Sequence, residues 1–199
     1  MSEPEPALVP PQGWRTPPQA RVQPVPLRRI PAGGLALAAP LKVANRFKTP
    51  GIFATIANNR KVFRAWVRFG MRVAIRSTLG RKATELVVLR TAWNCGCYYV
   101  WTHHQLMGRL RGLDRQTIRR VAEGPDAPGW SADDAHLLRA VDELHHQHCI
   151  TDATWDGLAS RFDDQLRIQL CFLVGHYEML AMTLNSLGVQ YEHEAAAAD

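Results

Sequence analysis

Proline is distributed very unevenly along this chain of 199 residues. Eleven of its thirteen prolines lie within the first fifty residues, and the other two lie in one glycine-bounded stretch at 124–129. Proline lacks an amide hydrogen and clashes with the preceding helical turn, so dense proline excludes helix interiors and favours extended chain. We therefore expect residues 1–35 to form an arm that is extended or partly disordered, either wrapped over a surface or loose.

After about residue 41 the spacing of apolar residues favours helices, and no segment alternates as a half-buried strand does. Asparagine, aspartate and serine stand where helices are expected to begin, and glycines stand where they are expected to end. The expected helices begin at Pro50 and then cover about 60–78, 82–94, 98–110, 115–123, 132–148, a short segment from 152, and 164–187. The pattern predicts one all-α domain over 36–190 and a frayed tail over 191–199.

The composition excludes several classes of function. Apolar content of 46% and charged content of 21% are typical of a soluble globular protein. No apolar run approaches the roughly 18–20 residues that a membrane helix needs, and the acidic, proline-rich start is not a signal peptide. The formal charge of +6 favours small anions, but no zinc finger, RNA-recognition motif or basic-aromatic run is present. We expect a cytoplasmic protein that binds neither nucleic acid nor membrane.

Three residues carry the most specific pattern. Cys97 lies twelve positions after Glu85, and His104 lies seven positions after Cys97, two helical turns along the same face. Cys97 follows Gly96 at an expected helix start, where the helix dipole lowers the pKa of a thiol; a packing role is the alternative. His104 is suited to proton transfer near neutral pH, whereas His103 points a quarter-turn away, as a surface residue would.

Glu85 stands in an apolar segment, so if it is buried it must be paired or functional. A salt bridge to Arg81, Lys82 or Arg90 is the alternative to a partnership with His104.

The segment from Glu85 to His104, with Gly108, Leu110 and Gly112-Leu113 after it, resembles the core of the carboxymuconolactone decarboxylase family. That family shares its fold with the alkyl hydroperoxide reductase D (AhpD) proteins. The string Cys97-x-Tyr99-x-Trp101-x-x-His104 is similar to the longer, decarboxylase-like branch, as are the stretches 137–145 and 175–181. The likeness covers roughly residues 45–190. It implies an AhpD-like helical bundle that assembles as a homo-oligomer.

One departure from the family pattern affects the chemistry. Hydroperoxidase-type members carry two cysteines spaced C-x-x-C before the histidine, but Val100 stands where the second would fall. Cys95 and Cys97 form only a C-x-C pair, which closes a strained disulfide ring. The resemblance therefore favours proton transfer over dithiol redox cycling.

The resemblance implies a cofactor-independent lyase or isomerase that decarboxylates or isomerises a small carboxylic acid or lactone. In that role His104 is the general acid or base, Glu85 orients it, and Cys97 supports the site. The implied substrate-binding residues are Tyr99, Trp101, His176, Tyr177 and Arg90, although a salt bridge is the stronger expectation for Arg90. A thiol-dependent peroxidase using Cys97 and a non-catalytic assembly of the same fold are the alternatives.

Two further groups of residues bear on metal binding and assembly. His145, His146, His148 and Cys149 crowd one expected helix end, but sequence neighbours satisfy only part of a zinc site, so we expect neither metal nor cofactor. The aromatic residues Phe63, Trp66 and Phe69 suggest more apolar surface than a short bundle can bury, which favours self-association.

Overall fold

The structure, a computed structural model, describes residues 8–33 and 50–192. Over these residues the chain is helical and contains no strand, which confirms the predicted all-α class. The helices are α1 (Gly51–Ile56), α2 (Arg60–Gly70), α3 (Arg81–Asn94), α4 (Tyr98–Leu110), α5 (Arg115–Glu123), α6 (Ala132–Gln147), α7 (Asp152–Ala159) and α8 (Asp164–Leu187). A 3-10 turn lies at Leu27–Arg29, and a π-helical turn lies at Met71–Ile75.

Side-chain caps account for where five of these helices begin. In each case an oxygen of the residue before the helix accepts a backbone N–H three positions later, which satisfies one of the unpaired amides of the first turn. The capping residues are Asn59, Asp114, Ser131, Thr151 and Asp163. The last helix ends at Gly188, whose left-handed φ of 66° costs glycine nothing.

Helix α3 lies at the centre of the domain and packs against α4, α5, α6 and α8. Its middle residues Val87, Val88 and Leu89 have no exposed surface. The middle of α3 is therefore buried on every side, so the residues that it carries there are held from several directions.

The helix predicted to reach about residue 78 is interrupted. Helix α2 ends at Gly70, and the π-helical turn follows to Ile75. At Gly70 the backbone passes so close to α8 that an added Cβ would stand 3.3 Å from Nε2 of His176. The π-turn, of a kind often found at functional sites, shapes one wall of the cavity described below.

The described part of the proline-rich arm, 8–33, runs over the helical domain. The ring of Trp14 packs edge-on against Trp93, with centroids 5.8 Å apart. Backbone amides of the arm also bond to the domain: Arg15 donates to the carbonyl of Gly96, and Val25 donates to that of Ala54. The remaining arm residues, and the domain's expected start at 36–49, lie outside the described residues.

The other end of the chain also contacts the domain. Tyr191 and Glu192, the first residues of the segment predicted to fray, pack against α4; residues 193–199 lie outside the described part. Among the described helices, none combines the length and the apolar character that crossing a membrane requires.

Candidate active site

A cavity of about 130 Å³ lies among α1, α2, α3, α4 and α8. Much of its wall is apolar, with Ile52, Phe53, Val100 and Leu180 among the lining residues. The polar side chains that line it are Thr84, Glu85, Tyr99, His103, His104, Arg111, His176 and Tyr177. An apolar pocket with a few converging polar groups is the usual form of a small-molecule site.

Glu85 and His104 meet at this cavity, as their spacing predicted. Oε2 of Glu85 lies 2.9 Å from Nδ1 of His104, and Oε1 accepts a hydrogen bond of 2.5 Å from Nη1 of Arg111. Only 1% of the Glu85 side chain is exposed. A buried carboxylate is tolerated when it is paired and hydrogen-bonded, and here both of its oxygens are engaged.

The pairing sets the tautomer of His104. Because a carboxylate only accepts hydrogen bonds, Nδ1 of His104 carries the proton that it shares with Glu85. Nε2 is then the acceptor in the neutral ring, and the Tyr177 hydroxyl lies 3.3 Å from it. Burial raises the pKa of Tyr177, so the phenol stays protonated and donates to Nε2.

A second polar group beside the first was not predicted. His103, expected at the surface, lines the cavity, and its Nε2 lies 3.0 Å from Oε2 of Glu192. Oε1 of Glu192 accepts from the Tyr99 hydroxyl at 2.5 Å and from the amide of Gly51. Burial alone would raise the pKa of Glu192, but hydrogen bonds from His103, Tyr99 and Gly51 lower it to about 2.

Cys97 differs from expectation. It is the N-cap residue of α4, it has no exposed surface, and it is not among the described residues that line the cavity. Burial raises the pKa of its thiol to about 12, although the amides of Val100 and Tyr99 act in the opposite direction. The expectation of a lowered thiol pKa is therefore wrong, because the loss of hydration outweighs the helix start.

Arg90 and Trp101 lie in the structure without facing the cavity. Nε and Nη2 of Arg90 form a two-point ion pair with Asp142, at 2.6 and 2.8 Å, and its Nη1 donates to backbone carbonyls at the end of α5. The ring of Trp101 is buried 5.0 Å from that of Trp93. Neither residue is among those described as lining the cavity.

His176 and Tyr177, by contrast, both line the cavity. Burial lowers the pKa of His176 to about 4, so its ring is neutral near pH 7. Nδ1 of His176 and Nε1 of Trp66, which also lines the cavity, have no hydrogen-bond partner among the described residues. Buried polar atoms normally have a partner, so these two atoms are exceptions within the described part of the chain.

Arg111 is the site residue that sequence reasoning missed. It follows His104 by seven positions, so it lies on the same helical face at the end of α4. Two features of the sequence could have predicted Arg111 as a site residue: this spacing, and the requirement of a buried Glu85 for a nearby cation.

The fold is shared with several solved structures. The AhpD core of an uncharacterized peroxidase-related protein from Ralstonia eutropha superposes with a TM-score of 0.77 and 17% identity, over 89% of this chain and 95% of that one. The debrominase Bmp8, as a cysteine-to-alanine variant in complex with 2,3,4-tribromopyrrole, gives a TM-score of 0.71 and 12% identity, over 90% and 96%. A protein of unknown function from Agrobacterium tumefaciens gives 0.64 and 19%, over 68% and 94%.

The sequence itself matches a family model. The model of the carboxymuconolactone decarboxylase family matches residues 60–143, which include Glu85, Cys97, His104 and Arg111. No curated protein matches the chain significantly.

Proposed function

Residues 60–143 belong to the carboxymuconolactone decarboxylase family, and from this premise we propose that the chain is a cofactor-independent enzyme that transfers protons at carbon in a small carboxylic acid or lactone. The observation that carries the proposal is the chain of contacts from Arg111 through Glu85 to His104 at the wall of the cavity. A buried carboxylate that holds one ring nitrogen leaves the other available as a general acid or base.

The cavity suits a small acid. Arg111 brings a permanent positive charge, and only one of its five N–H donors is used on Glu85 in the described contacts. The hydroxyl of Tyr177 and the imidazole of His104, which also line the cavity, add hydrogen-bonding groups. The apolar wall favours the carbon skeleton of the substrate. We therefore assign Arg111 to the substrate carboxylate or lactone carbonyl, in place of Arg90.

His104 serves two related reactions with the same geometry. In a decarboxylation, the electron pair of the broken C–C bond passes into the adjacent unsaturated system, and Nε2–H of the imidazolium protonates the carbon. In an isomerisation, neutral Nε2 removes a proton from one carbon and returns it to another. Glu85 stabilises the imidazolium in both cases, and the Tyr177 hydroxyl, which donates to Nε2 in the structure, gives up that contact when Nε2 acts on the substrate.

The test uses a panel of small unsaturated carboxylic acids and lactones in D₂O. A decarboxylation should release CO₂ and incorporate one deuterium at carbon per turnover. An isomerisation should incorporate at most one, to the extent that the proton on Nε2 exchanges with solvent before it is returned. The substitution His104→Gln should lower kcat by roughly 10²- to 10⁴-fold, whereas His146→Gln, an exposed histidine outside the cavity, should leave it unchanged. Loss of turnover in Cys97→Ser with little effect of His104→Gln would refute the acid–base proposal.

Each of the two alternatives predicts a different result. A thiol peroxidase would consume peroxide with a dithiol donor, but the burial and high pKa of Cys97 weigh against it. A non-catalytic assembly would behave identically after Glu85→Gln, His104→Ala and Cys97→Ser. A cytoplasmic location and a lyase classification stay part of the proposal.

A further inference from the structure

A second cluster of chemically reactive side chains lies outside the cavity. Nδ1 of His145 lies 2.6 Å from Oε1 of Glu178, and Sγ of Cys95 lies 3.1 Å from Oε2 of the same carboxylate. One ligand atom from each of the three residues falls within 4.8 Å of the other two. The residues come from three different helices or helix ends, and each is partly buried.

The backbone that carries Cys95 is held from several sides. Cys95 is the C-cap residue of α3, and its carbonyl accepts a hydrogen bond from Asn185 of α8. The side chain of Gln12 donates to the carbonyls of Trp93 and Asn94, at 2.7 and 2.8 Å. These contacts position the thiol before any ligand arrives, which lowers the cost of ordering a site.

We propose that Cys95, His145 and Glu178 form a binding site for Zn²⁺. Sulfur, imidazole nitrogen and carboxylate oxygen are the donor types that zinc takes in proteins, and three protein ligands with an open fourth position are an established arrangement for this ion. In a tetrahedral zinc site the ligand atoms stand roughly 3.5 Å apart, so the three side chains need only small rotations to reach it.

The protons and charges balance on binding. The Cys95 thiol, which here donates to Glu178, releases its proton to solvent as the Zn–S bond forms. His145 binds through Nδ1 and keeps its hydrogen on Nε2. One thiolate and one carboxylate then neutralise the two charges of Zn²⁺. Water is left to take the fourth position.

This site differs from the one that the sequence suggested. Of the neighbouring residues His145, His146, His148 and Cys149, only His145 belongs to the three-residue cluster, and its partners lie fifty positions before it and thirty-three after it. Zinc there would join the end of α3 to α6 and α8, so its role would be to stabilise the helices behind the active site.

Binding is tested on the whole chain of 199 residues after treatment with a chelator. We expect one equivalent of Co²⁺ to bind and to give a thiolate-to-cobalt charge-transfer band. Zn²⁺ should displace the Co²⁺ and should raise the melting temperature of the protein. The substitutions Cys95→Ser and Glu178→Gln should each weaken binding by at least about tenfold, and Cys95→Ser should abolish the band. The control is Cys149→Ser, a substitution at the exposed cysteine beside these histidines. This variant should keep both the metal affinity and the charge-transfer band.

Two results would overturn the proposal. One is the absence of stoichiometric Co²⁺ or Zn²⁺ binding by the wild-type protein, a measurement that does not depend on how any variant folds. The other is a band that disappears in Cys149→Ser and persists in Cys95→Ser, which would move the metal to the end of α6. Circular dichroism establishes that each variant is folded.

Discussion

At the scale of single residues, the ion pair between the buried Glu85 and Arg111 links the stability of the domain to the proposed site. Removing the charge of Glu85 leaves the guanidinium, 25% exposed, without its partner. We expect Glu85→Gln to lower the free energy of unfolding by about 1–3 kcal/mol, because breaking a buried pair leaves a desolvated charge and partial exposure of Arg111 reduces that cost. Urea denaturation measures it.

A surface pair provides the matched control for this prediction. Asp126 and Arg139 form an exposed ion pair at 2.8 Å, with 83% and 40% of their side chains exposed. Solvent screens such pairs, so Asp126→Asn should change stability by no more than about 0.5 kcal/mol. Equal effects of the two substitutions would show that the Glu85 pair is not buried in solution.

Glu192 should make the stability of the fold depend on pH in the acid range. Its pKa falls from 4.5 to about 2 on folding, so the stabilisation is complete above about pH 4.5 and is lost as the pH falls toward 2. The size of the effect is on the order of 3 kcal/mol. Between pH 4.5 and 2, the free energy of unfolding should fall less steeply in Glu192→Gln than in the wild type. Chemical denaturation at each pH measures this.

A comparison variant separates this carboxylate from the general acid response. Asp164 is 85% exposed, and Asp164→Asn should leave the acid profile close to that of the wild type. An unchanged profile in Glu192→Gln would mean that Glu192 does not contact His103 and Tyr99 in solution.

At the scale of elements, α8 should depend on its N-cap. Asp163 accepts a hydrogen bond of 2.9 Å from the amide of Leu166, and losing such a cap costs about 1 kcal/mol. We expect Asp163→Ala to lower the melting temperature, whereas Asp164→Ala, at the next position, should change it much less. Helix α8 also carries His176, Tyr177 and Glu178. Fraying of its first turn in Asp163→Ala would therefore also test whether disorder at that end of the helix reaches these three residues.

At the scale of the whole molecule, the basis for expecting self-association has moved. Phe63 is 1% exposed and Trp66 is partly buried, so these two aromatic residues pack inside the domain. Phe69 is 39% exposed, and its ring lies 6.2 Å from that of Phe172 on α8. The exposed apolar residues of α8 instead form a stripe at intervals of four, seven and three positions, the spacing of a helix that packs against another. They are Ile168, Phe172, Met179 and Met182.

Homo-oligomerisation therefore stays a prediction, with α8 as its expected interface. Phe172→Asp should reduce the molar mass measured by light scattering, because a charge at a buried apolar contact is costly. Val62→Asp, at a residue of α2 that is 54% exposed, should not. A wild-type protein that is monomeric at micromolar concentration would contradict the prediction.

The helices could be predicted from the sequence because their signals are local. A cap such as Asp114, a stop such as Gly112 or a proline acts within one turn, so bounds such as Tyr98–Leu110 agree with the expectation. The π-helical turn after Gly70 could not be predicted, since it arises where α2 meets His176 of α8. The pairing of Glu85 with His104 was predictable because one short turn joins their helices.

The sequence alone determined the helical class and the two residues at the centre of the proposed chemistry. Only the tertiary structure decided which residues join them: it brought Arg111 to Glu85 and Glu192 to His103, moved Cys97 out of the site, and assembled Cys95 with His145 and Glu178. The reason is physical. Helix formation depends on neighbours along the chain, whereas burial and long-range contacts depend on how helices cross, and burial then sets which groups carry charge.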